Sequence, residues 1–575
     1  METGDPINLL EHSMLSKDSS LSRRSLAQDK RVGRVAQRIH VPVLVIGAGF
    51  AGLTSALFLG WLGVPCLLVE RRDSLSTHPR AHGLNRRSME LLRSVKGLEA
   101  ELFAASRSGP NDWTIAVSQT VTGTPISVIN TKAMNDASSS LSPARLCSAG
   151  QDRVEPVLLR YARAHGADVR FSTSLVGFEQ GADCVMAELR EEKTGERVDV
   201  ICDYLLAGDG AGSSVRKELG VEMEGPGVLT HAVSMLFEAD LPSVLNGAGA
   251  HLYYLRNSEF TGAFVSCDDP RFGQLNVEYD PATKTPRDFG RMHCADLVRK
   301  ALGTSELEVK VHDVLPWQMS ASVAKQFSRG RVFLVGDAAH LTPPVGGLGG
   351  QGGIQDAADL AWKLAFVIKG YAGADLLTTY EAERRPVAHL ANARGIANYV
   401  ERMRPDREDI RIRSAEADYL NVVFGYRYRS RAIVPGPDDD GSSSEDPYAP
   451  SVSPGFRIPH ALMNVQGKQL SLHDLSAGGF VLIAGKNAAH WMKAAARFAV
   501  LTGFPLKSYR IDADLQSTED LHRTLRLDDD AALLIRPDGF VAWRGDGLQG
   551  ADDRLASALD QICARSDRPE ESRRA

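Results

Sequence analysis

VPVLVIGAGFAGLTSALFLGWLGVPCLLVERR, residues 41–72, decides the architecture. The apolar run Val43, Leu44, Val45, Ile46 has the continuous character of a strand buried on both faces, as in a parallel sheet. A tight glycine turn follows, then a helix from about Ala51 to Gly63 and a second apolar strand, Cys66 to Val69, which together make a βαβ unit. Gly47, Gly49 and Gly52 form a GxGxxG between strand and helix, and Glu70 ends the second strand. In that order the first glycine makes the turn, the second lets a pyrophosphate approach the backbone, and the third lets helix and strand pack closely. The helix N-terminus supplies positive potential and the acid accepts from a ribose hydroxyl, so a dinucleotide site is expected.

At 575 residues the chain predicts several compact units, and 43% hydrophobic with 24% charged residues is an ordinary globular composition. The formal net charge of −6 gives no reason to expect nucleic acid, and no apolar stretch is long enough for a membrane. Seven cysteines, at 66, 147, 184, 202, 267, 294 and 563, are dispersed with no CxxC and no metal-type spacing. They suggest reduced thiols, a cytoplasmic protein and no metal site. Residues 1–38 mix arginines, acids and serines without an apolar h-region and read as a flexible N-terminal tail. Residues 39–220 and 322–435 read as one discontinuous domain, interrupted at 221–321 by short β-prone segments such as HLYYLRN and QLNVEYD, which suggest an inserted antiparallel sheet. Residues 436–455, GPDDDGSSSEDPYAPSVSPG, read as an exposed linker, and 456–566 as a small separate α/β unit with a hairpin at Asp538-Gly539.

Two further strand ends carry polar signals. LLAGDGAGSSVR places Asp209-Gly210, Ser213 and Arg216 after a short apolar strand, a pattern that by itself is a capping turn. RVFLVGDAAHLTPPVGGLGGQGGIQDAADLAWKLA ends a buried strand at Gly336-Asp337, where an acid at the carboxyl edge of a sheet meets a ribityl or ribose hydroxyl. Its glycine run opens a helix whose apolar residues Ile354, Ala357, Ala361, Leu364 and Ile368 recur at helical spacing. The N–H groups near Gly350 and Gln351 lack intrahelical partners and suit a ring that becomes anionic.

With PRAHGLNRRSMELL, these segments resemble the ordered fingerprints of class A flavoprotein monooxygenases, the p-hydroxybenzoate and phenol hydroxylase family, from about Val41 to Pro386. GYRYRS, PGFRIPH and RPDGFVAWR resemble the hydroxylases of aromatic polyketides, anthracycline types included, which carry a thioredoxin-like C-terminal domain. The resemblance implies a Rossmann-type FAD-binding domain with an inserted antiparallel substrate sheet and a thioredoxin-like α/β domain that does no redox chemistry. It implies non-covalent FAD held by Gly47, Gly49 and Gly52 at the pyrophosphate and Glu70 at the adenosine ribose. Arg80 and Gln151 are placed near the ribityl and pyrophosphate, Leu175 at adenine through its backbone, and Asp337 at ribityl or phosphate oxygens. Arg71, Asp209, Pro344, Gly347, Gly349, Gly350 and Gln351 complete the cofactor set. Many relatives have Asn-Thr where this chain has Gln351-Gly352, which leaves the backbone role intact and the side-chain contact open.

The implied reaction is reduction of FAD by NADPH or NADH, capture of O₂ as a flavin C4a-hydroperoxide and transfer of one oxygen atom to an aromatic polyketide or similar phenol. Gly350 and Gln351 would face the flavin N1 through their backbone, with GGLGGQGG kept bare so that no Cβ fills the ring's space. A group that polarises the phenol should lie on the inserted sheet. Tyr253 or Tyr254 is the candidate, because adjacent strand residues point to opposite faces. His340 reads as structural and Arg404 as a solvated helix charge. The alternatives are a simple-phenol hydroxylase, a Baeyer-Villiger oxygenase, or a non-catalytic flavin-binding assembly partner. A halogenase is disfavoured by the absence of Trp-x-Trp-x-x-Ile-Pro. A small aromatic molecule and O₂ are the expected partners, with a homodimer compatible.

Overall fold

The computed structural model describes residues 38–78, 81–106, 114–130, 136–245, 252–267, 269–413, 417–517, 520–547 and 549–565. Residues 1–37 of the expected tail and Arg80 therefore lie outside the described residues, and Arg38 already opens a strand. Strand Arg38–Ile46 pairs in parallel with Arg197–Ala207 on one side and Cys66–Val69 on the other, and the sheet continues to Val332–Leu334 and Asp168–Arg170. This is a Rossmann-type sheet, and both faces of its central strand are covered, as the run Val43 to Ile46 requires.

Helix Phe50–Trp61 packs against this sheet and against helix Gly349–Ile368. Two glycines make that packing possible. Gly47 has a φ of +97°, and a Cβ on Gly52 would sit 1.9 Å from the Gly47 carbonyl oxygen.

A second, eight-stranded sheet runs in the order His340–Leu341, Lys310–Ala324, Met223–Glu238, Phe272–Tyr279, Thr261–Ser266, Leu252–Arg256, Thr114–Ser118, Ser127–Asn130. The insert expected at 221–321 is therefore extended by two strands from 114–130, one of which pairs in parallel with Leu252–Arg256. Pairing across more than a hundred residues leaves no local trace in either segment.

The C-terminal unit has a four-stranded sheet in the order Leu506–Arg510, Phe480–Ala484, Ala532–Ile535, Val541–Gly545, flanked by helices Ala489–Thr502 and Ala551–Ile562. One parallel pair beside an antiparallel hairpin is the thioredoxin-like arrangement, and Gly539 in the hairpin has the expected positive φ. Residues 436–455 are not an exposed linker. Arg427 is bonded to Asp439 at 2.8 Å, Glu445 donates its backbone N–H to Gly425, and Val452 is buried. The low hydrophobicity of that stretch reflects satisfaction by ion pairs and backbone bonds rather than by an apolar face.

The C-terminal unit is seated on helix Gly349–Ile368. Trp362 meets Phe480 edge-on at 5.8 Å, and Phe366 meets Phe504 at 5.5 Å. The polar side of that helix is consequently buried as well. Lys363 Nζ lies 2.7 Å from both Asp359 and Glu383, and Arg536 of the C-terminal hairpin reaches Glu383 at 2.6 Å. Asp359, Glu383 and Asp538 bring carboxylate oxygens within 4.8 Å of one another, but Lys363 and Arg536 already bind them, so the cluster is an ionic joint rather than a metal centre.

Three buried acids face two cations here. Burial and the neighbouring carboxylates push Asp359 up to about 8, while Arg536 and Lys363 hold Glu383 low in spite of its burial. The folded state thus keeps a proton that an unfolded aspartate releases near pH 4. The stability this contributes is complete below that pH and is lost as pH rises through about 8. Unfolding midpoints are expected to fall between roughly pH 4 and pH 8 and to level off above, and Asp359→Asn, which imitates the protonated form, should flatten that slope. A slope unchanged in Asp359→Asn would place the proton elsewhere.

Candidate active site

A cavity of about 2340 Å³ lies between the carboxyl ends of the parallel strands and one face of the second sheet. Drug-sized ligands occupy roughly 300–1,000 Å³, so this space takes a dinucleotide and a second molecule together. Helices Phe50–Trp61, Gln151–Ala164 and Gly349–Ile368 begin at its wall. None has a side-chain cap on its first turn. The positive ends of their dipoles at the wall make it a site for anionic oxygens.

The glycine loop fits a pyrophosphate by the test of a single atom. A Cβ on Gly49 would meet only Glu155 Oε1, at 3.9 Å, so the bare face of Gly49 opens to the cavity. Glu70 accepts from the Ala48 N–H at 2.9 Å and from the Arg72 N–H at 3.0 Å, which fixes its carboxylate at the cavity edge. Arg71, Gln151, Leu175, Asp209, Asp337, Pro344, Gly347 and Gly349 also line this space; Gly52 does not, being enclosed against Gly47. Asp209 is the capping residue that its motif alone suggests, accepting from Ser214 N–H at 2.9 Å, while its Oδ1 is buried without a partner. Arg216 binds the carbonyls of Ala211 and Ala338 and so ties the Asp209 turn to the Asp337 turn.

Gly350 and Gln351 stand in the first turn of their helix and line the cavity. The reason for the glycines differs from the expected one. A Cβ on Gly350 would meet Phe50 at 3.1 Å, one on Gly352 would meet His340 at 2.7 Å, and one on Gly353 would meet Ala51 at 3.1 Å. They are small so that this helix can cross the first one and pass His340, not to clear space for a ring; only Gly347 has its bare face in open space within the run's cavity side. The Gln351 side chain is also committed, donating to Gly83 O at 2.9 Å and accepting from Asn85 N–H at 3.1 Å. His340 is structural, bonded at 2.7 Å to Asp356, which also accepts from Gly336 N–H and Arg384. Although burial alone would raise it, His340 and Arg384 bring that carboxyl down to about 2.

The two tyrosines separate as strand alternation requires. Tyr253 packs on Phe264 in the core behind the sheet, and Tyr254 lines the cavity. Tyr254 is buried with the Arg402 guanidinium over its ring at 5.7 Å. Burial raises its hydroxyl above the ordinary range, against the pull of Arg402. Arg402 Nη1 is buried without a partner.

Sequence reasoning did not find Arg402, nor Glu278, whose carboxylate Arg404 meets at 3.4 Å; Arg404 lies beyond the end of its helix, beside the cavity wall. The alternation Gln274, Asn276, Glu278 between Leu275 and Val277 was the available signal, since it puts three polar residues on one face of a strand. Gln274 bridges the halves of the site, bonded to His82 at 3.2 Å and to Ser234 at 2.7 Å. Asp446, Pro447 and Tyr448, from the stretch expected to be a linker, form part of the wall.

The family profile described as FAD binding domain matches residues 40–394, and that described as aromatic-ring hydroxylase, C-terminal, matches residues 451–566. Aklavinone 12-hydroxylase of Streptomyces purpurascens is 40% identical over 536 residues, 91% of this chain and 99% of that protein. Tetracenomycin B2 monooxygenase-dioxygenase of Streptomyces olivaceus is 40% identical, covering 92% and 99% of the two chains. A crystal structure of aklavinone-11 hydroxylase with FAD and aklavinone aligns with a TM-score of 0.88 at 39% identity, over 91% of this chain and 99% of that one. Kinship of this degree over nearly the whole length, in a chain whose cavity is built for a dinucleotide, means that the protein belongs to the FAD-dependent aromatic-ring hydroxylases and is an FAD-dependent monooxygenase.

Proposed function

We propose that the chain hydroxylates a polycyclic phenolic secondary metabolite of the aromatic-polyketide kind, using NADPH or NADH and dioxygen. The observation that carries this reading is one continuous cavity, far larger than a dinucleotide needs, in which Tyr254 and Arg402 share the wall with the glycine loop. The size favours a fused-ring substrate over a simple phenol, and similar proteins act on aklavinone and tetracenomycins by their names. Among the described residues none of the seven cysteines forms a disulfide, which fits catalysis in the reducing cytoplasm.

FAD, when bound, supplies electron transfer from the nicotinamide and activation of dioxygen. Gly47 and Gly49 hold its pyrophosphate, Glu70 its adenosine ribose, and the N–H groups of Gly350 and Gln351 favour negative charge on its ring. Tyr254, kept as a phenol by burial, hydrogen-bonds the substrate hydroxyl. Arg402 Nη1 then stabilises negative charge on that oxygen as the ring becomes nucleophilic.

The reading is tested by incubating holoenzyme with NAD(P)H and a panel of polycyclic phenols and following product mass for a gain of one oxygen atom. Absence of both NAD(P)H oxidation and any such product across the whole panel would favour the non-catalytic alternative, and oxidation without product would count against the hydroxylase reading. Tyr254→Phe is expected to lower kcat by about 10²-fold with FAD content unchanged, because a proton-handling group is lost from a preserved pocket. An unaltered kcat would remove Tyr254 from the chemistry.

A further inference from the structure

The end of the cavity formed by strands Met223–Glu238, Phe272–Tyr279 and Lys310–Ala324 holds buried polar atoms that the reaction does not use. Glu278, Ala232 and Trp317 stand directly opposite one another on these three strands, so their side chains share the face that lines the cavity. The Glu278 side chain is only 8% exposed. Its Oε2 meets Arg404 at 3.4 Å and the Tyr399 and Thr230 hydroxyls lie beside the carboxylate, whereas Oε1 is buried with no hydrogen bond of ordinary geometry. Trp317 Nε1 is likewise a buried donor without a partner. Ala232 between them offers only a methyl group and no polar partner to either neighbour. Leaving such groups unsatisfied is costly, so a buried acceptor and a buried donor on one cavity-lining face describe the ligand group that belongs beside them.

Tyr254 lies in the adjacent row, opposite Ala263, which is opposite Asn276. Strand spacing and rise put the backbones of Tyr254 and Glu278 about 12 Å apart. That exceeds one aromatic ring and is comparable with several fused rings.

We propose that Glu278 and Trp317 are specificity-determining residues that recognise one hydroxyl of the substrate remote from the reacting ring, the hydroxyl donating to Glu278 Oε1 and accepting from the Trp317 Nε1–H. The proposal rests on the polycyclic-phenol reading and adds to it a required functional group at the far end of the molecule. A simple phenol cannot reach from Tyr254 to this pair.

The test uses holoenzyme and matched phenol and methyl-ether pairs, of which emodin and physcion are one, with binding read from the change in bound-flavin absorption. The unaltered enzyme is expected to prefer the phenol of at least one pair by about tenfold or more. Glu278→Leu should abolish that preference by weakening the phenol, raising KM and leaving kcat at saturation unchanged. Glu278→Gln, whose amide oxygen still accepts, should retain part of it, and Trp317→Phe should weaken phenol and ether alike. Where Glu278→Leu fails to hold FAD, Glu278→Gln and Trp317→Phe carry the comparison. A preference that survives Glu278→Leu, or equal binding of phenol and ether by the unaltered enzyme in every pair, overturns the role of Glu278 and leaves the hydroxylase reading standing. Holoenzyme that neither binds nor turns over any polycyclic phenol overturns both.

Discussion

Gly49→Val is expected to yield a folded protein that has lost FAD, whereas Gly52→Val is expected to yield no stable fold. The two glycines belong to one motif but face opposite ways. Gly49 has extended backbone dihedrals that valine adopts readily, and an added Cβ meets no protein atom closer than 3.9 Å. The new side chain would project instead into the space assigned to the pyrophosphate. Each hydrogen bond to an ionised oxygen is worth roughly 1.5–3 kcal/mol, so displacing two should weaken FAD binding by about 100-fold or more. At Gly52 the added Cβ would overlap the Gly47 carbonyl at 1.9 Å, and the first helix could remain only by moving off the sheet. Such overpacking costs about 1–3 kcal/mol even where neighbours can shift, and backbone cannot. Flavin absorbance after gel filtration, with an unfolding midpoint for each variant, checks both. Full FAD retention by Gly49→Val would displace the pyrophosphate from this loop.

Arg536→Met is expected to destabilise the protein by roughly 3–5 kcal/mol, the cost of stranding a buried charge. Arg536 is fully buried and bonds Glu383 through both terminal nitrogens, at 2.6 and 2.8 Å, as well as Asp538. Without it Lys363 alone faces three buried acids. A second joint, Arg457 to Glu90 at 2.8 Å, holds the C-terminal unit to the FAD-binding part elsewhere, so the variant should remain assembled but melt at lower temperature. The double variant Arg536→Met, Glu383→Gln should recover part of the loss, because the neutral amide no longer needs the cation. An unchanged midpoint in the single variant would mean that the joint is solvated.

Much of this was legible in the sequence where local signals determine structure. The strand, glycine, helix, strand and acid order of 41–72 is a contiguous pattern, and its helix, Phe50–Trp61, lies within a residue or two of its expected bounds. Tyr253 and Tyr254 could be separated only as a pair, because alternation says that they diverge without saying which one faces the cavity. The apolar spacing of helix Gly349–Ile368 does not show that Asp356, Asp359 and Lys363 are buried as well, since His340 and Arg384 cover Asp356, Glu383 meets Lys363, and Arg536 of the distant C-terminal hairpin meets Asp359. Non-local strand pairing hid Thr114–Ser118 in the same way. The glycine run was recognised as a place of close approach, but what approaches is protein, Phe50, His340 and Ala51, and that follows only from the crossing of two helices.

The central claim, that this cavity inserts one atom of dioxygen into an aromatic ring, is tested most directly by turnover under heavy-isotope dioxygen with a polycyclic phenol. The account predicts one labelled oxygen in the product for each NAD(P)H consumed. A product whose new oxygen carries no label would contradict it.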